Sequence, residues 1–167
     1  MRKPKDRLAK VSFDFTNKTV LDIGCNQGGM IFALKDKLRW AVGVDYDYRM
    51  INACNIIKRE FDVGRTHFFV FDIDKDSHEL VHDFLPESKV DIVFLLAVCV
   101  WIDKWREIIH FSSIVSDVIL FESNGDPDVQ DNQVTEVAKY YPNITLVSDK
   151  SDDDPVYHGR RLYLATK

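Results

Sequence analysis

The sequence predicts an α/β protein with a doubly wound, mostly parallel seven-stranded sheet, helices on both faces and a C-terminal antiparallel hairpin. Short β-branched or aromatic runs alternate with helix-length segments, a pattern typical of parallel strands joined by crossover helices. These runs are apolar on both faces, as expected for a sheet buried between two helix layers. Only a loop separates the last two runs, which favours an antiparallel pair.

The elements follow one another in a regular order along the chain. Apolar residues recur near i, i+3, i+4 and i+7 between the strands, which predicts helices. The predicted strands are TVLDIG (19–24), AVGVDY (41–46), HFFVFDI (67–73), VDIVFLLA (90–97) and DVILFES (117–123), with NITLVSD (143–149) and RRLYLATK (160–167) as the hairpin. The predicted helices are 28–38, 48–61, 75–85, 103–115 and 128–141, the last of which ends at Pro142.

Composition indicates one globular domain. The 167 residues, 46% of them hydrophobic, suffice for a single core. We divide them into an N-terminal extension (1–17), a ligand-binding core (18–125) and a helix with the terminal hairpin (126–167). The net charge of -5 disfavours a nucleic-acid partner, and no apolar run reaches the roughly 18 residues of a membrane span.

The three cysteines indicate a reducing compartment. Cys25, Cys54 and Cys99 are far apart in the sequence and form no C-x-x-C motif. This spacing argues against a disulfide framework and against a zinc site. We therefore expect free thiols, a cytoplasmic protein and no metal.

The loop after the first strand, GCNQGG (24–29), is the first candidate binding feature. Ligands of doubly wound sheets bind at the carboxyl ends of the strands, and glycines allow sharp turns and close approach of a ligand. The dinucleotide fingerprint G-x-G-x-x-G is not matched, because Asn26 stands at its second glycine. Asp22 would also face an incoming phosphate. The loop therefore favours a ligand with a cationic or zwitterionic end over NAD(P).

Acidic residues end the next two strands as well. Asp45 follows Gly24 by about 20 residues, the offset at which a carboxylate accepts hydrogen bonds from ribose hydroxyls. Asp72 is predicted at the same edge, where it can accept from an adenine amino group, and Tyr46 or Ile73 can pack against the base. A tight turn requires glycines but no such acids, so this series predicts an adenosyl ligand.

At these residues the sequence resembles the class I S-adenosylmethionine-dependent methyltransferases. VLDIGCNQGG, GVDYD, FFVFDID and VDIVFLLAVCVWI resemble the family's first four motifs, and the resemblance covers roughly residues 17–125. It implies a Rossmann-like fold, bound S-adenosylmethionine and methyl transfer to a nucleophile. The expected cofactor-binding residues are Asp22, Gly24, Cys25, Asn26, Gln27, Gly28, Asp45, Tyr46, Asp72, Ile73 and Ala97.

The acceptor is expected to be a small molecule or a glycan-type hydroxyl. The fourth motif lacks the N/D-P-P-Y/F of amino-methylating enzymes, and LLAVCVWI looks more like small-molecule methyltransferases. The alternative is a non-catalytic methyltransferase-like subunit that binds the cofactor or only a partner protein. Since only about 17 residues precede the first strand, we expect an open site, or a lid supplied by a partner domain or a second copy in a homodimer.

Two acids at the sheet edge are candidate general bases. Asp103 follows the fourth strand, but its position before a helix favours an N-cap. Glu122 ends the fifth strand and either acts as a base or organises a turn with Asn124. His158, beside the acidic run 152–154, is expected to lie in a solvated loop.

Two further residue pairs near the sheet have competing interpretations. Trp101 and Trp105 either roof the substrate pocket or pack against the core. His78 and His82 are one helical turn apart and have no further metal-like ligands in the sequence, so we expect them at the surface.

Overall fold

Seven strands organise the part of the chain that a computed structural model describes, residues 4–150 and 159–167. The strands are β1 (Thr19–Ile23), β2 (Trp40–Asp45), β3 (Thr66–Val70), β4 (Ile92–Leu96), β5 (Val118–Glu122), β6 (Asn143–Ser148) and β7 (Leu162–Thr166). The helices are α1 (Pro4–Ala9), α2 (Gly29–Leu34), α3 (Tyr48–Glu60), α4 (Leu80–Phe84), α5 (Trp105–Val115) and α6 (Pro127–Ala138), with a 3₁₀ turn over Cys99–Trp101.

The strand order is β3-β2-β1-β4-β5-β7-β6. Strands β1 to β5 are parallel, and β7 is antiparallel to both β5 and β6. This confirms the predicted doubly wound sheet and its terminal hairpin. Because β1 lies between β2 and β4, the strand order reverses there, and the loop that leaves β1 opens onto the crevice of the sheet.

Alternation along the strands divides the core between the two faces. Leu21 and Ile23 of β1 join a buried cluster with residues of α4, α5 and α6. Val20 joins the other cluster, which includes residues of α2, α3 and the segment before β1. Asp22 shares the face of Val20, so its carboxylate lies at the carboxyl end of the face that α2 and α3 cover.

Helix α4 is shorter than the predicted helix over 75–85. Side chains of the preceding residues bind the backbone instead, since Asp76 accepts the N–H of Asp72 at 2.8 Å and Asp74 accepts N–H groups near α5. Such local side-chain bonds compete with helix formation. The prediction was wrong for residues 75–79, which form turns.

Helix α1 was not predicted from the sequence. It packs against α2, where a Cβ added at Gly29 would lie 3.2 Å from Pro4 Cγ. Leu8 of α1 is half-buried against the cluster on the α2 face. The N-terminal extension is therefore part of the fold and lies close to the start of α2.

No helix in the described part of the chain is long and apolar enough to cross a membrane.

Candidate functional site

The glycine loop turns through three residues with left-handed backbone conformations. Gly24 has φ 77°, Asn26 has φ 49° and Gly28 has φ 71°. Asparagine is among the few residues that adopt this region readily. The structure thereby explains why Asn26 stands where related fingerprints have glycine. Its side chain also accepts the N–H of Gln27 at 2.8 Å.

Asp45 holds this loop from the end of β2. One carboxylate oxygen accepts the N–H of Asn26 at 2.9 Å, and the other accepts the N–H of Asp47 at 2.9 Å. Each oxygen keeps a second lone pair. Asp45 is half-buried, so it fixes the loop and still offers acceptors at the crevice.

The fold itself requires the glycines at both ends of the loop. A Cβ at Gly24 would lie 2.5 Å from Val98 Cγ2, and one at Gly28 would lie 2.9 Å from the rings of Phe32 and Phe68. Residues after β4 therefore pack directly on the turn that leaves β1. The glycine loop and the end of β4 form one continuous surface.

Asp22 is a buried carboxyl at this edge with a strongly raised pKa. The residue is 2% exposed, and its Oδ2 has no hydrogen-bond partner among the described residues. Burial, together with the nearby charge of Asp45, raises the pKa of Asp22 to about 7, and Arg7 opposes the shift. A buried acceptor without a partner is costly. A cationic group at this position would satisfy it.

Cys25 is a packing residue of the loop. It is buried, and its Sγ lies 3.7 Å from the carbonyl oxygen of Asn26, to which Cys54 Sγ approaches within 3.3 Å. A hydrogen bond with Cys54 and burial raise the pKa of the Cys25 thiol. A thiol so disfavoured as a thiolate is a poor nucleophile.

Of the residues expected around an adenine base, Tyr46 follows β2, and Asp72 and Ile73 follow β3. Strand β3 ends at Val70, short of the predicted Ile73. The Asp72 carboxylate accepts Lys75 Nζ at 2.7 Å and the N–H of Asp74 at 3.1 Å. Its hydrogen bond with Lys75 lowers the pKa of Asp72. Ile73 is buried in the core, whereas Tyr46 is 72% exposed.

Ala97, directly after β4, has a strained backbone that sequence reasoning missed. Its φ is 57°, which is unfavourable for a residue with a Cβ. Its N–H donates to the carbonyl of Glu122 at 2.9 Å, and its carbonyl accepts Asn124 Nδ2 at 2.7 Å. Strain held in place by such bonds is frequent at functional sites.

Asn124 braces the loops after β4 and β5. It is buried, and its Oδ1 accepts the N–H of Val100 at 3.1 Å. Gln133 of α6 accepts the N–H of Asn124 at 3.0 Å and donates to its carbonyl at 2.9 Å. Asn124 thus links the loop after β5 to Ala97 and to the 3₁₀ turn.

Glu122 ends β5 in an ion pair with α1. Arg7 Nη2 lies 3.2 Å from Glu122 Oε1, with the two side chains 15% and 3% exposed. Arg7 also acts on the Asp22 carboxyl. The chain's own N-terminal helix therefore places a cation at the edge that holds both buried acids.

The prediction that Asp103 caps α5 was wrong. Helix α5 begins after Lys104, whose side chain makes no cap bond. The carboxylate of Asp74 accepts the N–H of Asp103 at 3.2 Å and that of Lys104 at 2.9 Å. Asp103 is exposed, so its side chain lies in solvent at the carboxyl edge of the sheet.

The two tryptophans near α5 have different environments. Trp105 is half-buried against the core, with the guanidinium of Arg106 4.0 Å from its ring centroid. Trp101 is 74% exposed. Core packing therefore accounts for Trp105 but not for Trp101.

His158 and residues 152–154 lie outside the described residues. Within residues 4–150 and 159–167, no group of three or more His, Cys, Asp or Glu side chains is arranged to hold a metal ion. The rings of His78 and His82 lie beside the ring of Phe111, with centroid distances of 6.0 Å for His78 and 5.3 Å for His82.

Comparison with known proteins adds a family and a fold. A family model described as a methyltransferase domain matches residues 14–148, more than half of the chain. No curated protein matches the sequence significantly. Many solved structures match in fold, and three of them illustrate the range of identity and coverage.

The N-terminal domain of EvdMO1, crystallised with SAH bound, has a TM-score of 0.77 at 9% identity, covering 99% of this chain and 82% of that one. The bifunctional kinase-methyltransferase WbdD has a TM-score of 0.71 at 21% identity, covering 99% of this chain and 40% of that one. Precorrin-6y C5,15-methyltransferase from Geobacter metallireducens has a TM-score of 0.70 at 12% identity, covering 98% and 86%. At these identities the likeness shows the fold.

Proposed function

The chain belongs to the class I S-adenosylmethionine-dependent methyltransferases, and from this premise we propose that it methylates a hydroxyl group of a small-molecule or glycan-type acceptor. The predicted family and fold are thereby confirmed. One observation carries the cofactor assignment on which the proposal rests: a buried carboxylate, Asp22, leaves one oxygen unpaired beside the glycine loop. The cationic end of the cofactor satisfies that oxygen.

The hydrogen-bond acceptors at the edge fit the cofactor. We propose that Asp22 accepts from the ammonium group of the cofactor. Asp45 accepts from the ribose hydroxyls, through the carboxylate lone pairs that the N–H groups of the loop leave free. Asp72 accepts from the adenine amino group, beside Tyr46 and Ile73. The remaining contacts to the cofactor come from the backbone groups of Gly24, Cys25, Asn26, Gln27, Gly28 and Ala97.

We propose that Glu122 is the general base. When bound, S-adenosylmethionine supplies a methyl group on a sulfonium, which makes positioning of the acceptor the main task of the protein. An acceptor hydroxyl must also lose its proton. Arg7 Nη2 lies 3.2 Å from the Glu122 carboxylate, and the backbone carbonyl of Glu122 accepts the N–H of Ala97, one of the expected cofactor-binding residues. Asp103, which is exposed, is the second candidate.

A hydroxyl acceptor agrees with the charge of the molecule and with one structural neighbour. The net charge of -5 disfavours a polyanionic substrate. The EvdMO1 domain was also crystallised in the presence of SAH and D-fucose. The buried free cysteines support the cytoplasmic location that we propose.

Calorimetric titration with S-adenosylhomocysteine tests cofactor binding. We expect binding by the unmodified protein and no binding of NAD(H). Asp45→Ala removes two charged acceptors, so the affinity is expected to fall roughly 100-fold or more. The control is Asp62→Asn, a change at an exposed residue beyond the end of α3, which retains affinity. Full affinity in a folded Asp45→Ala protein contradicts the ribose assignment.

Methyl transfer is tested separately with labelled S-adenosylmethionine and pools of metabolites and glycans. Glu122→Gln is expected to keep S-adenosylhomocysteine affinity and to lose roughly 100-fold or more of the transfer rate. If Asp103→Asn loses that much of the transfer rate and Glu122→Gln does not, Asp103 is the base. Binding without transfer to any pool contradicts the proposed acceptor class.

A further inference from the structure

An exposed aromatic surface lies at the edge that holds the candidate site. Trp101 is 74% exposed and its neighbour Val100 is 44% exposed. Val129 of α6, also exposed, lies close to Val100, because a Cβ added at Gly125 would be 3.4 Å from Val100 Cγ2 and 3.0 Å from Val129 Cγ1. A large flat ring left in water beside apolar neighbours indicates a binding surface.

The support beneath Trp101 is rigid. The backbone N–H of Trp101 donates to the carbonyl of Val98 at 2.9 Å, and Val98 packs on Gly24 of the glycine loop. Asn124, buried, holds Val100 and Ala97 through the hydrogen bonds described above. The indole is thus displayed on a braced turn that is continuous with the loop assigned to the cofactor.

The acidic residues near Trp101 limit the kinds of ligand that can bind beside its ring. Two segments carry this surface, residues 97–103 and residues 123–129, which include the start of α6. They contain Asp103, Asp126 and Asp128 and no basic residue, and Lys104 follows directly after the first segment. All three acids are exposed. Carboxylates accept hydrogen bonds from hydroxyl groups and repel phosphate. The surface therefore disfavours an anionic ligand, and it can bind a ligand that has one apolar face for the ring and several hydroxyls for the carboxylates.

We propose that Trp101 is the platform of the acceptor subsite and stacks on the apolar face of a neutral pyranose ring, whose hydroxyls donate to the surrounding carboxylates. This rests on the proposed function and narrows its acceptor to a neutral sugar. Trp101 is then a specificity-determining residue. The acidic loops disfavour a sugar phosphate.

Saturation-transfer NMR with a panel of neutral methyl pyranosides, in the presence of S-adenosylhomocysteine, tests the subsite. We expect at least one pyranoside to bind, and Trp101→Ala to weaken it roughly tenfold, the order of an aromatic stacking contact. Trp101→Phe should restore part of the affinity. The control is Phe61→Ala, since Phe61 is 72% exposed but lies at the far end of α3.

Each result bears on one proposal. Unchanged pyranoside binding in Trp101→Ala, or no pyranoside bound by a protein that binds S-adenosylhomocysteine, overturns the sugar subsite. Preferred binding of the matching sugar phosphates also overturns it. Failure to bind S-adenosylhomocysteine overturns the proposed function instead. Calorimetry with that ligand on Trp101→Ala should show unchanged affinity, which separates the subsite from the cofactor site.

Discussion

Asp22, which we propose binds the cofactor, is a buried carboxyl that costs the ligand-free fold stability. Its carboxyl is buried with one oxygen unpaired, and burial raises its pKa from 3.8 to about 7. The folded protein therefore holds this proton between those pH values, whereas the unfolded chain releases it. The contribution of Asp22 to stability is complete below about pH 4 and is lost as the pH rises through about 7.

Asp22→Asn is expected to separate stability from binding. Above pH 7 the ligand-free variant should be more stable than the unmodified protein, by an amount on the order of a few kcal/mol that shrinks toward pH 4. Its affinity for S-adenosylhomocysteine should be lower, because the amide cannot neutralise an ammonium group. Urea unfolding at several pH values and calorimetry measure both.

The matched control for this substitution is Asp62→Asn, at an exposed position. It should shift neither the pH profile nor the affinity. A stability difference between Asp22→Asn and the unmodified protein that does not change with pH would show that the pKa of the Asp22 carboxyl is the same in the folded protein and in the unfolded chain. The role assigned to its unpaired oxygen would then be withdrawn.

At the scale of elements, the loops after β4 and β5 depend on one amide. Asn124→Ala removes the hydrogen bonds to Ala97 and Val100 and leaves the buried carbonyl of Ala97 without this donor. The free energy of unfolding should fall by about 1–3 kcal/mol. Thermal unfolding checks this against Asn132→Ala, a change at an exposed position on α6. Equal melting temperatures for the two variants would contradict the bracing role.

The strands were predictable because their signal is local. Apolar runs of strand length indicated all seven, and the acids that follow such runs placed Asp22 and Asp45 at one edge. The shortened α4 was not predictable from apolar spacing, since Asp74 and Asp76 bind backbone groups that the pattern ignores. The left-handed Ala97 depends on Asn124, 27 residues away, and no local signal reports it.

Helix α1 was missed for the same reason. It has six residues, none of them buried, so it has no strong apolar face to recognise in the sequence. Its place is set by contacts distant in sequence, which are Pro4 against Gly29 and Arg7 against Glu122. Such contacts become visible only when the whole molecule is assembled.

At the scale of the whole molecule, Arg7 ties the N-terminal extension to the far side of the site. Its partner Glu122 ends β5, two strands from β1 in the sheet. Since the Glu122 side chain is only 3% exposed, removal of this cation should destabilise the protein by about 1–3 kcal/mol. Arg7→Ala should therefore lower the free energy of unfolding far more than Lys5→Ala, an exposed change on the same helix.

A double-mutant cycle with Glu122→Gln isolates this pair. If the ion pair holds α1 against the sheet, the loss in Arg7→Ala should be smaller in the Glu122→Gln background, with a coupling of about 1 kcal/mol or more. Urea unfolding of the four proteins gives the coupling, and limited proteolysis of α1 shows whether the helix is released. Additive effects, with α1 equally protected in all four, would mean that the packing of Pro4 and Leu8, and not the ion pair, holds the helix in place.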